Sequence, residues 1–274
     1  MVEGDIAPAV KLTNTMEWGF EEADFKFMMK LEPKGCFVAL DDARFIGLTT
    51  TINFESLGWV GNVIVEMDYR DRGIGSILIQ RSISYLKGRG VKTIGLYSYE
   101  DTIPFYEKLG FKRDKAFIYL VGSGVEYSET KTVKQMGDED FKKAVELDKH
   151  CIGVSREKLL RNIFTKSRNL CYTTFEGDDL VGFVMARKSS NTVEAGPLIC
   201  KAGSEGKAID LLNVLLRSFI GFEVYLGVPE DKLKLITKLK AWKFREKFKV
   251  VKMYSGSILQ DKGCVLAMES LERG

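Results

Sequence analysis

The residues best suited to chemistry in this chain form a short turn rich in arginine and glycine. The turn spans residues 70–75, Arg-Asp-Arg-Gly-Ile-Gly, and it follows the β-branched run at 63–65 and precedes an amphipathic segment. A turn that leads from a strand into a helix directs unpaired backbone N–H groups and the positive end of the helix dipole at one point, which suits a phosphate. Glycine lets a bulky pyrophosphate approach the backbone, and arginine adds charge-assisted hydrogen bonds. The turn therefore predicts a phosphate site. A plain strand–helix turn with a solvated basic rim explains these six residues equally well.

Two common phosphate sites are excluded by the sequence. The dinucleotide fingerprint requires a third glycine, which this turn does not have. The P-loop requires Gly-Lys-Ser or Gly-Lys-Thr, and neither tripeptide occurs in the chain.

A second motif lies downstream of the turn. Residues 91–97 are typical of a strand, and a short helix is predicted from about Thr102, with Pro104 in its first turn, where the missing N–H costs nothing. Gly110 is a natural left-handed end for this helix before Phe111 begins another strand.

Together the two motifs resemble the GNAT superfamily of acetyl-CoA-dependent N-acyltransferases. Members carry an Arg/Gln-x-x-Gly-x-Gly/Ala loop and, further along, a Tyr-Glu-x-Leu-Gly-Phe segment, which correspond here to residues 70–75 and 106–111. The resemblance covers residues from about 8 to 121. Asp24-Phe25, the turn at 32–35 and the segment 58–62 are similar to prokaryotic tandem-domain GNAT proteins.

The pattern of the first half returns in the second half at offsets of roughly 133–135 residues. We therefore predict an α/β fold of two tandem GNAT-like domains, each a twisted mixed sheet flanked by helices. The predicted domains are residues 1–123 and 124–274, and residues 122–130 resemble a connector. The counterpart of the arginine–glycine turn, at 198–206, has no arginine and contains Glu205, which repels phosphate. One acetyl-CoA site is therefore expected, in the first domain. The second domain is expected to form a wall of the acceptor pocket or an interface between subunits of a homodimer.

The resemblance assigns roles to individual residues. The strand edge before the turn would hold the pantetheine arm of acetyl-CoA, and the turn with its arginines would hold the pyrophosphate. The cofactor-binding set comprises Val63, Ile64, Val65, Arg70, Asp71, Arg72, Gly73, Ile74, Gly75 and Ser76. Tyr106 would give a proton to the departing thiolate. An aromatic side chain packed between helix and sheet is the alternative reading of Tyr106.

The base and the acceptor site are less well defined. The chain lacks the glutamate that some family members carry on the strand before the short helix, and Tyr99 stands where the family often has asparagine. Glu66 is the nearest carboxylate in the sequence to the expected thioester, and a bound water is an equally good proton acceptor. Trp59 and Asn62 are candidates for the acceptor pocket, although a tryptophan in a sheet is more often part of the core.

Composition limits the classes of function. The net charge is +3, with 41 basic and 38 acidic residues, which does not indicate a nucleic-acid partner. No apolar run approaches the length that spans a bilayer, and the N-terminus does not resemble a signal peptide. The cysteines are scattered and odd in number, and the chain has one histidine, so we expect reduced thiols, no metal and a cytoplasmic location. The cysteines are Cys36, Cys151, Cys171, Cys200 and Cys264.

The sequence thus predicts an N-acetyltransferase that moves an acetyl group from acetyl-CoA to a primary amine by direct transfer in a ternary complex. The acceptor is a small molecule or a protein amine, and Glu194 and Glu55 favour a cationic one. The alternative is a catalytically silent acyl-CoA-binding regulatory or scaffold protein. A third interpretation keeps the catalysis but changes the acyl group.

Overall fold

The computed structural model describes residues 1–126, 132–257 and 262–274. Part of the predicted connector at 122–130 lies outside these residues. Over the described ranges the chain forms eight α-helices and twelve strands, and all the strands belong to one sheet with helices packed on it. The predicted α/β class with a mixed sheet is confirmed.

The first half begins with two helices, continues into three antiparallel strands, and then alternates helix and strand. Its elements are α1 (Ile6–Asn14), α2 (Glu22–Leu31), β1 (Cys36–Asp41), β2 (Arg44–Phe54), β3 (Leu57–Val65), α3 (Ile74–Lys87), β4 (Thr93–Tyr99), α4 (Ile103–Lys108) and β5 (Lys112–Gly122).

The second half repeats this order, with one additional short strand before its first helix and another at its end. Its elements are β6 (Val133–Gln135), α5 (Asp138–Ile152), α6 (Glu157–Lys166), β7 (Cys171–Glu176), β8 (Asp179–Ser189), β9 (Thr192–Cys200), α7 (Gly206–Arg217), β10 (Glu223–Pro229), α8 (Leu233–Ala241), β11 (Arg245–Gly256) and β12 (Val265–Ala267).

The two halves exchange strands at the centre of the sheet. The strand order is β1-β2-β3-β4-β11-β5-β10-β9-β8-β7-β6, with β12 paired to β9 outside this path. β11 of the second half lies between β4 and β5 of the first half and is antiparallel to both. β5 in turn lies between β11 and β10. The sheet therefore continues across the predicted boundary at residues 123 and 124, and that boundary stays a prediction.

Each half has a gap between two parallel strands. β3 and β4 pair only over Leu57–Trp59 and Thr93–Gly95, after which they diverge. β9 and β10 likewise pair only over residues 192–194 and 223–225. In the second half, β12 enters this gap, because it pairs with β9 at Leu198 and Ile199 and the next N–H, that of Met268, donates to the carbonyl of Gly227 on β10. The gap beside β3 contains no such strand among the described residues.

Helix α3 covers the sheet beside the diverging strands. Its residues Leu78, Ile79 and Leu86 are buried, and Leu78 and Leu86 belong to the apolar spacing that the sequence predicts for this helix, at Ile74, Ile77, Leu78, Tyr85 and Leu86. Ile77, which the spacing also assigned to the apolar face, is 64% exposed, because it lies on the same side of the helix as the exposed residues Gln80, Arg81 and Ser84.

No helix in the described part of the chain is long and apolar enough to cross a membrane.

Candidate active site

A cavity of about 1270 Å³ opens where β3 and β4 diverge. The first half contributes the loop at residues 16–21, parts of α2 and β5, the later part of β3, the turn after it, and the ends of β4 and α4. The second half contributes parts of α6, β8, β9, β10 and β11 together with Leu271 and Glu272. Residues from both halves therefore line one cavity.

The arginine–glycine turn has the backbone geometry of an anion site. Asp71 and Gly73 adopt left-handed conformations, with φ of 60° and 80°. The first helical hydrogen bond of α3 runs from the N–H of Ile77 to the carbonyl of Gly73. The N–H groups of residues 71–76 have no acceptor among the described residues. Free amides at the start of a fourteen-residue helix suit a pyrophosphate.

The two arginines of the turn lie in different places. Arg70 lines the cavity, and its Nε donates to the carbonyl of Val65 at 3.1 Å. Arg72 lies over the ring of Tyr69 at 5.0 Å and is exposed outside the cavity lining. Arg70 is therefore better placed to contact a ligand in the cavity, and Arg72 contributes charge from the rim.

The free edge of β3 leads from the centre of the sheet to this turn. Its other edge pairs with β2, with Leu48 opposite Ile64 and Gly47 opposite Val65. Beyond Trp59 no described strand pairs with the edge that faces β4. The residues predicted to bind pantetheine, Val63, Ile64 and Val65, all line the cavity. An extended amide-bearing arm fits a single unpaired strand edge, because that edge offers backbone donors and acceptors in register.

Gly75 lies beside α4. A Cβ at this position would lie 3.4 Å from Cζ of Phe105, which is an ordinary van der Waals contact. Gly75 and Ser76 line the cavity, whereas Ile74 is not part of the lining. The residues present thus fit the pyrophosphate and pantetheine of acetyl-CoA.

Tyr106 lies on α4 at the same cavity. Its ring packs against Phe105 and Phe111, with centroid distances of 5.0 and 5.9 Å. Its hydroxyl has no hydrogen-bond partner in the described part of the chain. Burial raises the pKa of the Tyr106 phenol well above its ordinary value, so the hydroxyl stays protonated near neutral pH. The ring thus packs as the alternative reading of Tyr106 expects and the residue also lines the cavity, while its role as proton donor stays a prediction.

Glu66 lies outside the cavity that the predicted cofactor-binding strand and Tyr106 line. Its Oε1 accepts a hydrogen bond from Nη2 of Arg44 at 2.6 Å, and it is not part of the cavity lining. The geometry does not favour Glu66 as the proton acceptor.

Trp59 and Asn62 occupy different environments. Trp59 is buried in the core, packs against Tyr97 and Tyr254, and donates its indole N–H to the carbonyl of Leu271. Asn62 lines the cavity, although its amide donates to the hydroxyl of Thr50. Of the pair, only Asn62 is in a position to contact an acceptor.

A buried charged cluster and an aromatic wall lie at the far end of the cavity, and the sequence did not predict either of them. Glu194 accepts hydrogen bonds from Arg187 at 2.7 Å and Arg273 at 3.0 Å. Burial opposes ionisation of Glu194, but these two guanidinium groups lower its pKa below the ordinary value. Of the two acidic residues noted in the sequence, Glu194 lies at the cavity and Glu55 is exposed elsewhere, at the turn between β2 and β3.

The aromatic wall consists of side chains from four neighbouring strands. Phe248 of β11 stacks on Tyr119 of β5 at 4.7 Å and contacts Tyr99 of β4 at 5.3 Å, and Tyr225 of β10 lies 5.9 Å from Tyr119. These residues come together only because the halves exchange strands. No local sequence signal identifies such a grouping.

Family models match both halves of the chain. The model described as acetyltransferase (GNAT) family matches residues 9–111, and the model described as acetyltransferase (GNAT) domain matches residues 144–265. N-alpha-acetyltransferase 30 of Schizosaccharomyces pombe is 33% identical over 113 residues, which are 36% of this chain and 73% of that protein. The chain belongs to the GNAT family. As the sequence analysis predicted, this GNAT protein is an acyltransferase with two tandem GNAT domains.

Other similarities extend along the whole GNAT protein. Holothin acyltransferase of Pseudoalteromonas sp. is 24% identical over 264 residues, covering 94% of this chain and 87% of that protein. A candidate acetyltransferase from Pyrococcus horikoshii has the same fold, with a TM-score of 0.83, 17% identity, and coverage of 100% of this chain and 94% of that one. A tandem GNAT protein from the clavulanic acid biosynthesis pathway gives a TM-score of 0.64 and 14% identity, with coverage of 94% and 97%.

Proposed function

We propose that this GNAT protein transfers the acetyl group of acetyl-CoA to a primary amine. The observation that carries the proposal is the turn at residues 70–76, whose free amides adjoin an unpaired strand edge at a large cavity. The second half has no equivalent. Its turn after β9 lacks arginine, and β12 fills the gap where a pantetheine arm would lie. One acetyl-CoA per chain is therefore expected.

Residues of the first half would hold acetyl-CoA. The amides of residues 71–76 and the guanidinium of Arg70 would contact the pyrophosphate, with Arg72 adding charge at the rim. The edge of β3 at Val63, Ile64 and Val65 would contact pantetheine. When bound, acetyl-CoA supplies an activated acyl group as a thioester.

Tyr106 would supply the proton that the departing thiolate needs. Its phenol is protonated at neutral pH because burial raises its pKa. It lines the cavity with no competing hydrogen-bond partner in the described chain, so the proton is available. A positioned general acid of this kind contributes about 10²- to 10⁴-fold to rate.

The far end of the cavity would receive the amine. Asn62 lies on one side, and the aromatic wall with Glu194 and Glu272 lies on the other. Aromatic faces and carboxylates both attract an ammonium group, which supports a cationic acceptor, either a small molecule or a protein amine. The second half would thus act as a wall of the acceptor pocket.

Direct transfer in a ternary complex is supported by the residues that line the cavity. No cysteine is among them in the described ranges, and all five cysteines are buried and unpaired elsewhere. Buried free thiols also support the cytoplasm, where thiols stay reduced. The homodimer and the exclusion of nucleic acid and membrane remain predictions.

The silent acyl-CoA-binding protein remains the second candidate. It is favoured because Glu66, the carboxylate that the sequence offered as base, is paired with Arg44 outside the cavity lining.

Assays with a panel of amines distinguish the acetyltransferase from the silent acyl-CoA-binding protein. The protein is incubated with acetyl-CoA and with amino acids, polyamines, aminosugars and peptide amines, and free thiol release and acetylated product are measured. We expect product with at least one amine, and competition by longer acyl-CoAs then defines the acyl preference. Binding of acetyl-CoA without product across the panel would favour the silent protein.

A further inference from the structure

The last described segment of the chain connects the two halves. After β12 fills the gap between β9 and β10, the chain continues to the divergence point of β3 and β4. There the carbonyl of Leu271 accepts the indole N–H of Trp59 at 3.2 Å. A Cβ on Gly61 would lie 2.6 Å from Cα of Glu272, so the backbone of Glu272 lies directly on β3. The segment thus fixes Glu272 beside the strand edge expected to hold the acyl donor.

One carboxylate oxygen of Glu272 accepts a hydrogen bond and the other does not. Its Oε1 accepts a hydrogen bond from Nη1 of Arg273, whereas Oε2 has no partner in the described part of the chain. Glu272 lines the cavity although it is 7% exposed overall. A carboxylate oxygen is therefore available to a molecule inside the cavity.

Two other carboxylates at this end of the cavity, those of Glu194 and Asp24, are engaged by neighbouring residues. Glu194 uses Oε2 for Arg187 and Arg273, and its Oε1 accepts from the Tyr119 hydroxyl at 3.4 Å. Asp24 accepts the N–H of Glu21 with Oδ2, and its Oδ1 lies 3.6 Å from Arg187. Each oxygen of Glu194 and Asp24 thus has a donor or a cation within 4 Å, whereas Oε2 of Glu272 accepts no hydrogen bond from the described residues. Oε1 of Glu269 also lacks a hydrogen bond, but Glu269 is buried outside the cavity lining.

Charged and titratable groups from five elements influence Glu272. Arg273 and Glu269 lie on its own segment, Glu194 on β9, Arg187 on β8, Tyr119 on β5 and Tyr99 on β4. Burial raises the pKa of Glu272 to about 7, and the neighbouring carboxylates Glu194 and Glu269 add to the effect, while the two arginines oppose it. A group with this pKa exchanges protons readily at neutral pH.

We propose that Glu272 is the proton acceptor of the transfer reaction. Its carboxylate removes a proton from the ammonium form of the amine. In this step an N–H bond of R–NH₃⁺ breaks, its electron pair stays on nitrogen, and an O–H bond forms at Oε2. The products are R–NH₂ and a neutral carboxyl, which later releases the proton to water. The assignment rests on the proposed function and replaces Glu66 in the role of base.

The first arm of the test uses the protein without ligand. Glutamate labelled with ¹³C at the carboxyl carbon is incorporated, and the carboxyl resonances are followed with pH. We expect one resonance to titrate near pH 7 and to be missing from Glu272→Gln, while Glu146→Gln, which changes an exposed residue of α5, retains it. The absence of a resonance that titrates near neutral pH and depends on Glu272 would overturn the proposal.

The second arm uses acetyl-CoA and the best amine of the panel. In the wild type, log(kcat/KM) should rise through about pH 7 and then level off. In Glu272→Gln it should be lower by about 10²-fold at pH 8 and keep rising toward the pKa of the amine itself, because only free amine then reacts. Glu272→Asp retains a carboxylate and should restore the plateau at a lower rate.

The two arms separate failure of this inference from failure of the proposed function. A wild-type protein that neither binds acetyl-CoA nor releases thiol would overturn the proposed function and this inference with it. Wild-type transfer combined with an unchanged profile in Glu272→Gln would overturn the role of Glu272 alone.

Discussion

At the scale of single residues, Tyr106 has the properties of a proton donor rather than of a binding group. Its hydroxyl is protonated and unpartnered at the cavity, and its ring is fixed by two phenylalanines. Tyr106→Phe keeps this packing and removes only the proton.

We therefore expect Tyr106→Phe to lower kcat by about 10²-fold and to leave the Kd for acetyl-CoA unchanged. Steady-state kinetics and calorimetry measure the two quantities. Tyr172→Phe on β7 is the matched control and should keep full activity. Unaltered turnover in Tyr106→Phe would remove the phenol from the mechanism.

The pKa of Glu272 also makes a prediction about stability. The pKa rises from 4.5 to about 7 on folding because the side chain is buried. Between these values the folded protein retains a proton that the unfolded chain has released. The free energy of unfolding therefore falls as pH rises through this window.

Glu272→Gln cannot titrate, so the wild type should lose about 3 kcal/mol of stability relative to this variant between about pH 4 and about pH 8. Denaturant unfolding at a series of pH values measures the difference. Parallel curves of unfolding free energy against pH for the two proteins would contradict this prediction. They would show that the carboxyl of Glu272 has the same pKa in the folded and the unfolded protein.

At the scale of elements, the turn before α3 depends on a glycine in a conformation that other residues avoid. Gly73 has φ of 80°, and a Cβ there would meet open space, so the cost of alanine is conformational and not steric. Gly90, just after α3, has φ of 84° and equally open space. The two glycines form a matched pair.

We expect Gly73→Ala and Gly90→Ala each to lower the free energy of unfolding by about 1 kcal/mol. Only Gly73→Ala should weaken acetyl-CoA binding, by about tenfold. Gly73 belongs to the turn whose amides are expected to contact the pyrophosphate, whereas Gly90 does not. Chemical unfolding and calorimetry on both variants provide the comparison. Equal affinities would show that the turn does not bind the pyrophosphate.

The elements around this turn were predictable because their signals are local. The β-branched run, the glycine turn and the helical spacing of Leu78 and Leu86 lie within one short stretch. The assignment of Ile77 to the apolar face was wrong because Ile77 shares a helix face with the exposed polar residues Gln80, Arg81 and Ser84. Glu272 was not predictable, since its position depends on how the last segment contacts Gly61, more than two hundred residues earlier in the sequence.

At the scale of the whole molecule, the exchange of strands joins the two GNAT domains into one sheet. β11 pairs with β4 from Thr93 to Tyr99, and with β5 on its other side. Internal repetition predicted two domains, but repetition alone cannot show that they share strands. The aromatic wall of the cavity is a consequence of this exchange.

A fragment of residues 1–123 should therefore not fold, since β4 and β5 would both lose their common neighbour and expose unpaired edges. The full chain should unfold in a single cooperative transition. Circular dichroism of the fragment and calorimetry of the full chain test both expectations. A folded fragment that binds acetyl-CoA would show that the halves are independent.

The most direct test of the account is titration calorimetry of the full chain with acetyl-CoA. We predict saturable binding of one acetyl-CoA per chain, because the amides of the turn at residues 71–76 have no acceptor among the described residues while β12 fills the equivalent gap in the second half. No binding at millimolar acetyl-CoA, or two molecules bound per chain, would contradict it.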